Sequence, residues 1–221
     1  LSDRLSIARC LHNLANVVRV RGDYASARQA LREAAAIFRQ VGDRSGAAWS
    51  LNQQGDIARE EGDVAAAQEL YQHALAAFRD AGDRWGSARS LADLGAIYCE
   101  QRDYGPAQKA YREALEVFAD LGHRRGIARA LEGYACLAAG QGDAVRALKL
   151  ASAASHLRQL IGAPLTQAEQ AKLDQNLKAA WNAIREEHGR QAWAEGSAMS
   201  MDKAIQYSLV DPSAISVSQD Q

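Results

Sequence analysis

Proline is almost missing from this chain: there are three in 221 residues, at Pro106, Pro164 and Pro212. An internal proline breaks a helix, so long uninterrupted helices remain open to nearly the whole sequence. Cysteine is scarce as well. Cys10, Cys99 and Cys136 are odd in number and fall within helical patterns, which argues against a disulfide framework and for a reducing, cytoplasmic setting. No apolar run approaches the roughly 18 residues of a membrane-spanning helix, and no secretory signal is legible. A formal net charge of −1 gives no global field to recruit nucleic acid or anionic lipid. No Gly-x-x-x-x-Gly-Lys-Ser/Thr loop is there to cradle phosphates.

Catalytic constellations are missing too. His12, His73, His123, His156 and His188 show neither a His-Glu-x-x-His pattern nor a cysteine–histidine zinc spacing. Glu186 and Glu187 are adjacent, so on a helix they point about 100° apart and cannot act as a pair. Cys99 has no base placed beside it by the pattern, and no Gly-x-Ser-x-Gly elbow occurs. The expectation is a protein without enzymatic activity, bound metal or cofactor.

What the chain does have is a period of 40 residues. Gly22-Asp23, Gly62-Asp63, Arg102-Asp103 and Gly142-Asp143 form one series. Gly42-Asp43-Arg44, Gly82-Asp83-Arg84, Gly122-His123-Arg124 and Gly162-Ala163-Pro164 form a second series between them. Glycine accepts the left-handed conformation just past a helix end, and the aspartate after it accepts hydrogen bonds from the next helix start. Each period therefore reads as two antiparallel helices. First helices are expected over 4–20, 44–60, 84–100 and 124–140, and second helices over 24–40, 64–80, 104–120 and 144–160. Arg102 replaces a glycine, so that turn is expected to close with a different cap.

Equivalent residues show how the helices pack. Leu11, Leu51, Leu91 and Leu131 correspond, as do Ala8, Ala48, Ala88 and Ala128. On the second helices Ala27, Ala67, Ala107 and Ala147 are followed seven residues on by Ala34, Ala74, Ala114 and Ala154, and then by Phe38, Phe78 and Phe118. Spacings of seven and four place these on one helical face. Small residues let helix axes approach, and the phenylalanines fill space where they diverge.

The third period reads Leu91, Leu94-Gly95, Tyr98, Ala107, Tyr111 and Ala114, and the second reads Leu51, Gln54-Gly55, Ala58, Ala67, Tyr71 and Ala74. This order of residues resembles the tetratricopeptide repeat family, in a 40-residue variant whose helices are longer than the usual 34-residue repeat allows. The first and fourth periods depart from it, with Ala15 and Ala135 for the glycine and Leu31 and Ala151 for the second aromatic. The resemblance implies an all-α, right-handed α-solenoid of antiparallel helix pairs over 1–162. A C-terminal helical cap over 163–209 and a flexible tail over 210–221 would follow. In the cap, Thr166 and Glu169 have capping-box spacing. They open an expected helix over 166–187 with Leu173, Leu177, Trp181 and Ile184 on one stripe, ended by Gly189. A short helix over 191–195 and a last one from Ser200 to Leu209 complete it.

A narrower resemblance lies in Ile161-Gly162-Ala163-Pro164-Leu165, Trp193-Ala194-Glu195-Gly196 and Ala204-Ile205-Gln206-Tyr207-Ser208-Leu209. These segments look like the closing part of large bacterial signalling ATPases whose repeat array is joined to outputs such as a LuxR-like helix-turn-helix. The chain begins at Leu1 without methionine, and the expectation is a C-terminal fragment of such a regulator, with any ATPase or DNA-binding role outside it.

In the resembled family the first helices line a concave groove. Carried onto this sequence, that implies the rows Arg9, Trp49, Arg89 and Arg129; His12, Asn52 and Glu132; Asn13, Gln53 and Asp93; and Asn16 and Asp56. Arginines beside a tryptophan suit an acidic segment, because guanidinium pairs bidentately with carboxylate. Asparagines can both donate to and accept from a peptide backbone. Against this stands the reading that these rows are only the solvated face of four helices. Three functions remain open: a protein- or peptide-binding scaffold in a bacterial regulator, a small-molecule inducer receptor, and a self-associating module. The partner is expected in the groove, with no direct nucleic acid and no membrane, on a monomer or weak self-associate.

Overall fold

The computed structural model describes residues 2–210, and all of its secondary structure is helical. The tail expected beyond Val210 lies outside the described residues. The elements are α1 (Ser2–Val20), α2 (Tyr24–Gln40), α3 (Arg44–Glu60), α4 (Val64–Ala81), α5 (Arg84–Glu100), α6 (Tyr104–Asp120), α7 (Arg124–Gly140), α8 (Ala144–Leu160), α9 (Gln167–Ala183), α10 (Glu186–Ser197) and α11 (Met201–Leu209). Helix pairs thus recur at the 40-residue period. No described helix is long and apolar enough to cross a membrane.

The turns explain the regularity. Gly22, Gly42, Gly62, Gly82, Gly122, Gly142 and Gly162 all have φ between 61° and 86°. After Gly22, the Asp23 amide reaches back to Val18 O while the Gly22 amide donates to Arg19 O, which closes the preceding helix. The Asp23 carboxylate then accepts from the Ser26 amide at 3.0 Å and opens the next. Asp43, Asp63, Asp83 and Asp143 act in the same way on Gly46, Ala66, Gly86 and Arg146. His123 substitutes for aspartate, its Nδ1 accepting from Gly126 N at 3.0 Å.

Arg102 corrects an expectation. The backbone closure of the preceding helix does not change: Arg102 itself takes the left-handed conformation, at φ 60°, and the Asp103 amide still bonds Tyr98 O at 2.8 Å. Asp103 makes no side-chain cap bond, and beside the turn Tyr104 OH donates to Gly140 O at 2.8 Å. Arg102→Gly should therefore relieve strain and stabilise the protein by up to about 1 kcal/mol. A thermal melt rising by a few degrees would show it, and a lowered melting temperature would mean the arginine is held by contacts that outweigh the strain.

The chain forms two compact units, residues up to Ile97 and residues from Tyr98 onward. In the first, Phe38 lies against Gly46 and Phe78 against Gly86, where a Cβ would sit 2.4 Å and 2.3 Å from the ring. Ala15, Ala27, Ala30, Leu31 and Ile57 form one buried cluster and Ala8, Ala34, Phe38 and Ala47 another, so α2 is packed between α1 and α3. In the second unit Phe118 meets Gly126 and Tyr111 meets Gly133 in the same manner. Burying such rings supplies much of the apolar area that stabilises each pair.

The C-terminal helices of the second unit differ from expectation. The helix expected over 166–187 is two helices: α9 stops at Ala183, Ile184 is extended, and α10 opens at Glu186 with Gly189 inside it. The reason is a fold-back over Trp181. A Cβ at Gly189 would lie 2.8 Å from the Trp181 ring, so this glycine lets α10 close on the indole rather than ending a helix. The Thr166–Glu169 capping box is formed, with Thr166 N donating to Glu169 Oε2 at 2.8 Å. α10 packs on α8, where Ser152 Oγ donates to Trp193 O at 2.6 Å and Lys149 pairs with Glu195. The carbonyls ending α11 are held by guanidiniums: Arg146 donates to Ser208 O at 2.9 Å and Val210 O at 2.7 Å, and Arg112 to Leu209 O at 3.0 Å. Cations at a helix C-terminus satisfy both its free carbonyls and its dipole.

Candidate functional site

The first helices carry the rows the sequence singles out, and within the first unit those rows divide by depth. Arg9, Asn13 and Asn16 are exposed on α1, with Asn16 accepting from Arg19 at 3.0 Å. His12 and Trp49 are half-buried, and both line a cavity of about 390 Å³ together with Arg9, Phe38, Asp43 and Ser45. The Trp49 indole lies 4.8 Å from the Phe78 ring and 4.4 Å from that of Trp85, so its position is fixed by stacking. The His12 ring meets Phe38 edge-on at 6.4 Å. Burial holds the His12 imidazole below its ordinary range, which keeps it neutral near pH 7 and leaves Arg9 to supply the cavity's positive charge. His12 Nδ1 and, one turn beyond Trp49, Gln53 Oε1 are buried atoms with no hydrogen-bond partner. Buried polar atoms are usually paired, so such atoms are places where a ligand could supply the missing bond.

Deeper in the same unit, the remaining row residues are committed to one another. Asn52 is 1% exposed and Asp93 0%. Asp93 Oδ2 accepts from Arg89 Nε at 2.8 Å and from Asn52 Nδ2 at 3.2 Å, and Asn52 Nδ2 also lies 3.2 Å from Ser90 Oγ. Arg89 donates a second bond to Asp56 Oδ2 at 3.3 Å, and Asp56 Oδ1 accepts from Tyr71 OH at 2.8 Å. Burial disfavours the Arg89 charge, but Asp93 and Asp56 more than offset it and raise its pKa. Burial, with Asp56 and Asp93 nearby, raises the Tyr71 hydroxyl as well. Arg89 is thus a bridge between carboxylates of its own chain rather than an open cation.

In the second unit the row on α7 is covered by the C-terminal segment. Glu132 pairs with Arg158, whose NH2 donates at 2.9 Å and whose NH1 also reaches Ala163 O at 3.2 Å. α9 runs over this face: Asn176 Nδ2 lies 3.3 Å from Cys136 Sγ, and Lys172 pairs with Glu100 at 2.9 Å. Glu169 of α9 is held low against the opposing cost of its burial by bonds from Thr166 and by the charges of Arg129 and Arg158.

Sequence reasoning missed Ser90, Tyr71 and Arg158 as partners, because each acts across helices far apart in the chain. It also passed over Gly46, Gly86 and Gly126, although they recur at the same period and so carried a legible signal. Among the described residues, no group of three or more histidine, cysteine or acidic side chains could hold a metal.

Residues 6–80 and 87–119 match two tetratricopeptide repeat families, and these matches support a tetratricopeptide repeat protein. Such repeats generally mediate protein–protein interaction, and as scaffolds they are typically not catalytic. The fourth helix pair, α7–α8, lies beyond the matched residues yet keeps the same turns and the same glycine–aromatic contacts. The fold is similar to that in a crystal structure of BtubC (BKLC) from P. vanneervenii, with a TM-score of 0.67. The alignment covers 99% of this chain and 84% of that one at 20% identity, a likeness of fold alone. No curated protein matches the sequence.

Proposed function

We propose that the chain is a non-catalytic docking scaffold that takes a peptide segment of a protein partner on the first-helix face of its first unit. The observation that carries this reading is the cavity that gathers Arg9, His12 and Trp49, whereas Arg89 and Asn52 of the same rows are hydrogen-bonded to the chain's own Asp56 and Asp93. An acidic side chain would pair with Arg9, its neighbouring backbone would meet Asn13 and Asn16, and the Trp49 ring would supply contact area. On the second unit, α9 lies across the corresponding α7 residues, which favours the first unit as the docking face. A cytoplasmic regulator would be a fitting context, a reading that rests on the C-terminal segments' resemblance.

An acidic-peptide array probed with the purified chain tests the proposal. Peptides bound by the parent should lose about tenfold or more in affinity to Arg9→Glu, a substitution at an exposed site that leaves packing intact. Binding should also weaken as salt rises from low to physiological strength. Equal binding by parent and variant, or no bound peptide, would overturn it. A second reading, a small-molecule inducer, draws on the cavity volume, which falls in the range of ligand pockets. A metabolite that raises the melting temperature of the parent and not of His12→Ala would favour it.

A further inference from the structure

α9 is held differently from the helices around it. It and α8 are both 17 residues long, yet α8 buries eleven of them and α9 only Leu173, Leu177 and Ala180. The chain is pinned on either side of it. Before α9, Ala163 O accepts from Arg158, and after it α10 is fixed on α8 through Ser152–Trp193 and Lys149–Glu195. Between those points lie two non-helical joints, one at Pro164 and Leu165 and one at Ile184 and Arg185. A thinly buried helix between two joints opens at lower free-energy cost than its neighbours.

The face that α9 presents is that of a bound helix. Leu173, Leu177 and Ala180 make a narrow apolar stripe, spaced by four and three residues. Along it, Glu169 faces the charges of Arg129 and Arg158, Lys172 pairs with Glu100 at 2.9 Å, and Asn176 Nδ2 reaches Cys136 Sγ at 3.3 Å. Arg129 and Cys136 belong to α7, and Glu100 ends α5. α9 thus lies across first helices as a helical ligand fills a groove, with apolar anchors flanked by matched polar partners.

We propose that α9 is a displaceable occupant of a second docking face, formed by α7 and the end of α5, and that the partner it holds off is an amphipathic helix of the same pattern. Such a helix carries an acidic residue, a lysine three places on, and leucines four and eight places on, as Glu169, Lys172, Leu173 and Leu177 do here. A tethered occupant competes as if present at about millimolar concentration, so the face is shut to weak ligands and opens to one that outcompetes α9. Displacement uncovers Cys136 and leaves Arg129 and Glu100 to the incoming acid and lysine. This face shares no residue with the Arg9 cavity, so its test is read independently of docking there.

Fluorescence anisotropy of a labelled synthetic peptide of residues 165–184, titrated with the full chain, tests this. Leu177→Asp should bind the peptide at least about tenfold tighter than the parent does, because the chain's own α9 no longer competes. Cys136 should be alkylated about tenfold faster in that variant, with Cys10 as the exposed reference, and excess peptide should restore its protection. Hydrogen exchange of α8 and α10 should stay as in the parent. Loss of their protection would make α9 an integral part of the fold and overturn the proposal. So would equal affinities, no binding to either chain, or peptide binding that leaves Cys136 reactive. Lys172→Glu, an exposed change that sets like charges against Glu100, should raise the Cys136 rate about threefold, and an unchanged rate would also count against the proposal.

Discussion

Gly196→Ala is expected to strip α10 from α8. A Cβ at this position would lie 2.2 Å from the Lys149 carbonyl oxygen and 2.8 Å from Lys149 Cα. Those are backbone atoms inside a helix, so unlike the phenylalanine rings beside Gly46 and Gly86 they cannot rotate away. Relief requires moving one helix off the other, which would lengthen the Ser152–Trp193 and Lys149–Glu195 contacts and expose the Trp193 side of α10. Overpacking of this kind costs about 1–3 kcal/mol, and the upper end applies where neither side can repack. Limited proteolysis should then cut within residues 184–200 at concentrations that leave the parent intact, and emission from Trp181 and Trp193 should shift to the red. Unchanged protease resistance would mean that α10 slides along α8 without separating.

Asp93→Ala should be the most damaging single change in the first unit, by about 3 kcal/mol. Asp93 is fully enclosed and accepts from both Arg89 and Asn52. Without it Arg89 keeps only its longer bond to Asp56, and Asn52 keeps only Ser90 as an acceptor. The loss is mainly that of leaving a half-buried guanidinium undercompensated, rather than that of one hydrogen bond. Asp93→Asn preserves an acceptor oxygen but not the charge, and should fall between parent and alanine variant. Trp49 and Trp85 lie in the same unit, so a fluorescence-monitored urea transition reports on it directly. A midpoint within experimental error of the parent would show that Asp56 alone balances Arg89. Arg89→Ala is the informative companion: it removes the cation that both carboxylates face, so it should also destabilise, and a loss of peptide binding in that variant would not by itself mark Arg89 as a contact residue.

Much of the helical framework was legible before any coordinates. Gly22-Asp23 and its repeats are local signals: a left-handed glycine and a carboxylate three residues before an amide need no knowledge of the rest of the chain. Eight helices consequently begin and end within a residue or two of where the period puts them, and Thr166 and Ser200 mark two more starts. Arg102 shows the limit of that logic, because a side chain with a conformational penalty can still be held in the same turn. The C-terminal break shows another. Nothing in the spacing of Leu173, Leu177, Trp181 and Ile184 reveals that Trp181 is the surface onto which the chain folds back.

The candidate site was legible as rows but not as depth. Arg9, Asn52, Arg89 and Asp93 occupy equivalent first-helix positions, and a period assigns equivalent positions one common face. What a side chain on that face meets is decided by residues 33 or 41 positions away, such as the partners of Arg89 and Asn52. The sequence by itself therefore determined the helix pairs, their turns and the small-residue and aromatic positions that pack them, because each depends on interactions within a few residues or on strict repetition. Only the tertiary structure decided that Arg89 serves two internal carboxylates and that α9 covers the α7 face. Those outcomes depend on which groups from distant helices arrive at the same place, and pairing across space leaves no period to read.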